Sequence, residues 1–356
     1  MSVVGRISVR ETRGIRRFLY PLSTELHLPE VCRAQDLGLI GRDGQPVPMQ
    51  VTPAGDNDAA LFRLDFAVSM APLETVELRL GTGQPAFLFD DPLRISTRER
   101  LRSEQLRFAI ELDLHGRVHD VVYDEVRHLR APSLLTRNGA QAELLSSSAC
   151  AAGLSLAARI TAAHRYADGC HAQTRAEITA CKSWLSLVHV LQEPQPGDEV
   201  VFALPLAVGA QVLTCDFGVG GGIYGKLQSG VAAEIVWHTD FSAGGAAQWS
   251  LLTAGRIDHR GSATSPEEYL PQRWFHCIDR NKALAVAITA IPNDCRTMTV
   301  TLRATGDVVV SCKLGDLISG PAAFGVCYHF LNDIPPLAAA TNPQSILLPP
   351  QVHLDL

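Results

Sequence analysis

Alternation with period two recurs from one end of this 356-residue chain to the other. It is seen in Arg6-Ile7-Ser8-Val9-Arg10, Phe62-Arg63-Leu64-Asp65-Phe66, Val76-Glu77-Leu78-Arg79-Leu80 and Leu106-Arg107-Phe108-Ala109-Ile110-Glu111-Leu112. It returns in Thr174-Arg175-Ala176-Glu177-Ile178-Thr179, Ala233-Glu234-Ile235-Val236-Trp237 and Met298-Thr299-Val300-Thr301-Leu302. Successive strand side chains point to opposite faces, so each run marks a strand with one buried face. Roughly sixteen to eighteen strands follow from this rule. Gly at Arg42-Asp43-Gly44-Gln45, His115-Gly116-Arg117, Ala167-Asp168-Gly169, Pro196-Gly197-Asp198 and Thr305-Gly306-Asp307 supplies the positive φ of the intervening turns. Helical signals are few. Ser265-Pro266-Glu267-Glu268 reads as a capped helix start. The apolar run Asn281 to Ile291 suits a strand better than a helix because of its Val and Ile.

The expectation is therefore an all-β chain: a small N-terminal β barrel or sandwich over 1–88, then a large antiparallel β-supersandwich over 89–356. The boundary is placed in the Gly- and Pro-rich stretch from Gly81 to Pro92. The tail Pro349 to Leu356 alternates again and reads as a last strand lying across the body.

A net charge of −6 argues against a large nucleic-acid footprint or a polybasic membrane anchor. Only four lysines occur, at 182, 226, 282 and 313, so anion recognition falls mainly to Arg and His. No secretory signal and no run of about 18 apolar residues is found, which points to a cytoplasmic protein with no membrane partner. The nine cysteines contain no C-x-x-C pair and read as reduced thiols. Dinucleotide, P-loop, zincin and nucleophile-elbow motifs are absent. Gly218 to Gly222 reads as a mobile loop between strands rather than a phosphate cradle, since no helix pattern follows it.

Residues 8–82 resemble the N-terminal small barrel of the exo-rhamnogalacturonan lyase (YetA-like) group. The likeness rests on Glu11-Thr12-Arg13-Gly14, Tyr20-Pro21-Leu22-Ser23, Asp43-Gly44-Gln45-Pro46-Val47-Pro48-Met49-Gln50 and Phe62-Arg63-Leu64-Asp65-Phe66. Residues 95–210 resemble the opening of a galactose-mutarotase-like supersandwich, through Leu106 to Ile110 and Leu114-His115-Gly116-Arg117-Val118. The resemblance implies a broad antiparallel sheet whose concave face could hold a sugar. The long helical toroid of the lyase group is missing, so none of that group's catalytic residues carries over.

Three clusters combine aromatic, basic and acid/base side chains. In Trp237-His238-Thr239-Asp240, His238 and Asp240 share a face, suited to an acid/base pair or two metal ligands. In Arg273-Trp274-Phe275-His276-Cys277, Arg273 could clamp a carboxylate, Trp274 could stack on a sugar and His276 could move protons. In Gly325 to Asp333, Tyr328 and His329 fall on opposite faces of a regular strand. His115, His119, Asp120, Tyr123, Asp124 and His128 form a weaker cluster. His164, Arg165, Tyr166 and His171 read as an exposed hairpin end, or else as the rim of a cleft. Glu177, Glu234 and Asp240 are nominal carboxylates for glycoside hydrolysis, whose partners come from different strands and cannot be found by spacing.

The function expected first is a carbohydrate-active enzyme of lyase or epimerase type. It would abstract a proton from a small sugar or uronic-acid glycoside. His238, His276, Tyr328, His329 and Arg273 are its catalytic candidates, and Trp237, Trp274, Asp240 and Tyr166 its substrate-binding ones. The alternatives are a non-catalytic sugar-binding or assembly subunit, and a metal-dependent hydrolase or lyase using His238, Asp240, His276 or His329. The cofactor is left unspecified. A small carbohydrate is the expected partner, and a homo-oligomer is compatible with the sequence.

Overall fold

A computed structural model describes residues 2–28, 33–54, 60–83, 91–97, 100–150, 153–180, 182–242, 246–280, 282–332 and 341–355. Cys32, Cys181, Asn281, Asp333 and residues 84–90, which hold the expected boundary, lie outside them.

The described chain is all β and antiparallel, with strands in five sheets. The described residues form 30 strands, more than the alternation count, in part because strands buried on both sides or only two residues long do not alternate. Leu37–Gly41, for example, is buried at every position. All five turn glycines named above have positive φ. Ser265 caps the helix Pro266–Tyr269 by accepting from the Glu268 amide. A second helix, Thr341–Leu347, carries no hydrophobic period that would announce it. No helix of the described residues is long and apolar enough to cross a membrane.

The N-terminal part forms a small sandwich. A five-stranded sheet contains Ser2–Arg10, Leu37–Gly41, Pro46–Val47 and Thr75–Thr82. A three-stranded sheet contains Arg17–His27, Met49–Pro53 and Leu61–Met70. Both contribute to one core, with Ile7, Val9, Leu39, Leu64, Phe66 and Leu80 fully or nearly fully enclosed. The fifth strand of the larger sheet is Gln351–Asp355, paired with Ser2–Arg10 from Arg6 opposite Asp355 to Arg10 opposite Gln351. The tail thus closes the N-terminal sandwich instead of crossing the main body. Val352 and Leu354 supply the apolar face that the exposed edge of Ser2–Arg10 requires.

The body is built on a nine-stranded sheet. Its order runs Glu143–Cys150, Ala157–Arg165, His171–Thr179, Trp184–Leu191, Ala322–Leu331, Lys282–Ala290, Trp274–Asp279, Val212–Phe217 and Ile223–Gln228. One face shares a single apolar core with a seven-stranded and a six-stranded sheet. The central strand Lys282–Ala290 is buried from Ala283 to Ile288 because its outer face is covered too. That two-sided burial makes it a continuous apolar run, which periodicity alone cannot assign to helix or strand. The Gly-rich segment is a tight connection between the last two strands: Gly220, Gly221 and Gly222 have positive φ. A Cβ at Gly218 would meet the Trp274 indole at 2.4 Å, so glycine there lets the ring lie on the backbone.

The outer cover is fastened by the Glu11 turn. Glu11 accepts from the amides of Arg13 (2.9 Å), Gly14 (2.7 Å) and Leu73 (3.0 Å), and from Arg17 Nη2 at 3.1 Å. Arg17 in turn donates to the carbonyls of Ser345 and Leu348, and Tyr20 donates to Ser345 O at 2.7 Å. The second helix and the N-terminal sandwich are thereby one cover. Burial disfavours the Glu11 charge, but the four donors outweigh it and lower its pKa to about 2.

A carboxyl depressed in the folded state contributes stability above its unfolded pKa of 4.5 and loses it as pH falls through the folded value near 2. The expected outcome is a stability that declines between those limits by up to about 3 kcal/mol. In Glu11→Gln the pH dependence over that window should flatten, and stability at pH 7 should drop by a similar amount. Urea unfolding at a series of pH values measures both.

Candidate functional site

Alternation in Leu61–Met70 turns Leu64 and Phe66 into the N-terminal core and Arg63 and Asp65 toward the nine-stranded sheet. There the opposed pair Arg159 and Glu177 meets them. Arg63 donates to Asp65 Oδ1 at 3.0 Å and to both oxygens of Glu177 at 3.1 and 3.0 Å. Arg159 donates through Nε to Glu177 Oε2 at 2.8 Å and through Nη2 to Asp65 Oδ1. Each carboxylate is therefore held by both guanidinium groups. Burial opposes the charge of Arg159, yet Glu177 and Asp65 more than offset it and raise its pKa. Beside the ring, Gln50 accepts from the Leu156 and Ala157 amides and donates to the Ala157 carbonyl.

The ring forms part of the wall of a cavity of about 220 Å³ between the N-terminal sandwich and the outer sheet face. Ser23, Asp65, Glu177, Thr179, Ser186 and Thr289 supply polar lining, and Trp184 supplies an indole. Three buried polar atoms of these residues have no hydrogen-bond partner: Asp65 Oδ2, Trp184 Nε1 and Thr289 Oγ1. Buried polar atoms are seldom left unpaired, because desolvation without a partner costs about 1–3 kcal/mol.

The residues singled out in sequence are dispersed. His238 and Asp240 do share a face, with Nε2 and Oδ2 3.3 Å apart, but it is the half-exposed outer face of the seven-stranded sheet. Trp237, on the opposite face, is wholly buried against Phe217 and offers no surface for stacking. Tyr328 also points into the core beside Phe330, where burial raises its pKa. His276 and His329 lie on the outer face of the nine-stranded sheet, both next to Ala285 in register. They are enclosed, with Trp274 centred 5.2 Å from His276 and Trp184 5.7 Å from His329. Asp216 Oδ2 stands 3.5 Å from His276 Nδ1. Burial lowers the His329 pKa to about 3, with Lys182 and His276 adding to the effect. Arg273 lines a different cavity altogether. These side chains do not meet at one point. Among the described residues no group of three or more His, Cys, Asp or Glu stands where it could hold a metal ion.

The hairpin at Asp168-Gly169 is exposed at Arg165 and His171 as read, but not at two of its other members. His164 and Tyr166 are 3% and 4% exposed, because even-numbered positions of Ala157–Arg165 face the inner core. His164 is stacked on His115 at 5.6 Å, and neither of its ring nitrogens has a partner. Tyr166 Oη is 3.1 Å from His189 Nε2, and Thr174 Oγ1 is 2.9 Å from His189 Nδ1. Burial lowers His164 to about 4 and His189 to about 3. Sequence reasoning named Glu177 but missed Arg63, Asp65 and Arg159. The only signal for the first two was the alternating Phe62 to Phe66 run.

No family profile and no curated protein matches the sequence. Solved structures match the fold. An alpha-mannosidase from Enterococcus faecalis V583 is similar over 99% of this chain with a TM-score of 0.60 at 10% identity. A glycosyl hydrolase family 38 protein from Enterococcus faecalis is similar over 99% with a TM-score of 0.60 at 9% identity. This chain spans only 46% and 47% of those two chains, about half their length.

Two outcomes follow from the site's electrostatics. Arg159→Met leaves Asp65 buried with one guanidinium instead of two, and should cost about 3 kcal/mol in urea unfolding at pH 7. A histidine held neutral contributes stability above its unfolded pKa of 6.5 and loses it as pH falls toward the folded value. Between pH 6.5 and 5, His164 alone should account for about 2 kcal/mol of lost stability. His164→Leu removes no hydrogen bond and should reduce that loss by the same amount.

Proposed function

We propose that this chain is a carbohydrate-recognising β module that holds one hexose-sized unit in the cavity between the N-terminal sandwich and the nine-stranded sheet. The observation that carries the reading is the polar lining of that cavity, Ser23, Asp65, Glu177, Thr179, Ser186 and Thr289, with Trp184 beside it. A sugar ring presents hydroxyls that both donate and accept, and an apolar face for an indole. The volume of about 220 Å³ is below that of pockets for drug-sized ligands, roughly 300 Å³ and up, and suits a single ring. The fold likeness to an alpha-mannosidase directs the choice of sugar toward mannose-type hexoses.

The geometry favours recognition over proton abstraction. An elimination or epimerisation needs base, acid and carboxylate clamp around one sugar carbon. His276 and His329 share a face, but His238, Tyr328 and Arg273 lie on other faces or in another cavity, so the five do not surround one carbon. Hydrolysis would need two mobile carboxyls across a scissile bond. Both oxygens of Glu177 and Oδ1 of Asp65 are already taken by guanidinium groups. Those carboxylates are fixed acceptors. Within a longer hydrolase such a module would present the sugar to chemistry supplied by other parts.

Ligand-observed NMR with methyl α-mannoside, methyl β-glucoside, methyl β-galactoside and free glucuronate tests the reading. Saturation transfer is expected for the mannoside at millimolar concentration or below. It should weaken at least tenfold in Ser186→Leu, which fills the cavity from the strand beside Glu177, and in Asp65→Asn. Absence of transfer from every sugar in the panel would falsify the proposal. Equal transfer in both variants would place the sugar elsewhere and overturn the site.

A further inference from the structure

A second cavity, of about 270 Å³, opens at one end of the main sandwich, remote in the chain from the ring around Asp65. Phe241, Pro266, Tyr269, Ile291, Pro292 and Cys295 make most of its wall, with Asn293 and Arg273 as polar members. Phe241 and Tyr269 pack edge to face at 5.7 Å, and the Tyr269 hydroxyl is engaged with Thr239 Oγ1 at 2.9 Å. That leaves the guanidinium of Arg273 as the cavity's single charge.

Arginines elsewhere in the chain show what is unusual here. Arg17, Arg137 and Arg159, more deeply buried than the partly exposed Arg273, each meet at least one carboxylate within 3.1 Å. Arg273 has neither an ion pair nor a side-chain hydrogen bond with any described residue, and its Nε is buried without a partner. The nearest ionisable groups are Tyr269 and the thiol of Cys312, both neutral when buried. Arg273 as a whole is partly exposed, so its Nε is the part that loses water without gaining a partner.

We infer that the Arg273 cavity is a binding site for a small organic carboxylate with an apolar body. A guanidinium binds a carboxylate through two parallel N–H···O bonds. The ring and aliphatic walls would cover the body of the ligand, and they offer a polyol few partners. Exclusion of water by those walls strengthens the ion pair. This site is separate from the proposed sugar cavity, and neither reading depends on the other.

The test uses the full chain with benzoate as probe, its neutral analogue benzyl alcohol, and inorganic phosphate, read by calorimetry and by thermal shift. Benzoate should bind with saturable heat and raise the Tm, while benzyl alcohol binds at least tenfold more weakly. Arg273→Met should abolish benzoate binding with an unchanged Tm, since it removes no ion pair or side-chain hydrogen bond with a described residue. Ile291→Phe, which narrows the cavity from another wall, should weaken binding with Arg273 intact. Equal binding of benzoate and benzyl alcohol, or full benzoate binding by Arg273→Met, would overturn the inference. Phosphate binding without benzoate binding would overturn the organic-ligand assignment. A lower Tm in Arg273→Met together with no benzoate binding by the wild type would show Arg273 to be structural.

Discussion

A sheet nine strands wide has two faces, and both must be kept from water in its centre. The inner face is covered by two other sheets around one core. The outer face has no third sheet of the body to meet. It is covered by the N-terminal sandwich and the C-terminal helix, through Tyr20, Leu347 and Leu348 packed on Trp184, Trp274, Ala287 and Cys327. The requirement to cover that face explains why the last strand pairs with the first. By joining the N-terminal sheet, Gln351–Asp355 brings the helix before it onto the same surface.

Apolar packing alone would leave the cover free to slide, since dispersion and hydrophobic burial have no direction. The charged ring of Arg63, Asp65, Arg159 and Glu177 sets the position. Two of its members come from each side, and each guanidinium reaches both carboxylates. Such a ring is expensive to desolvate and is repaid only when every member is in place. It therefore tolerates one docking geometry. A cavity lies beside the ring, with Asp65 and Glu177 in its wall.

Much of the fold was legible in the residues. The alternating runs appear as strands, the five Gly turns have positive φ, and Ser265 caps its helix, because each of these depends on residues close in sequence. The relative faces of His238 and Asp240 and of Tyr328 and His329 followed from parity for the same reason. Burial was less legible. Trp237 and Trp274 both sit in alternating contexts, yet one lies in the sandwich core and the other under the N-terminal cover. His164 looked like part of a hairpin tip and is enclosed by His115, from a turn 49 residues earlier.

The sequence by itself determined the strand periodicity, the turn positions and the face that each side chain takes, all set by the pleat and by local sterics. Only the tertiary structure decided which faces meet. Arg63 and Glu177 are 114 positions apart and carry no mutual pattern, since an ion pair between sheets depends on docking and not on spacing. Arg273 looked in sequence like one member of an aromatic-basic cluster. Its lack of a counter-charge among the described residues is a property of the whole fold, because which groups stand near it is settled only once every neighbouring strand is in place.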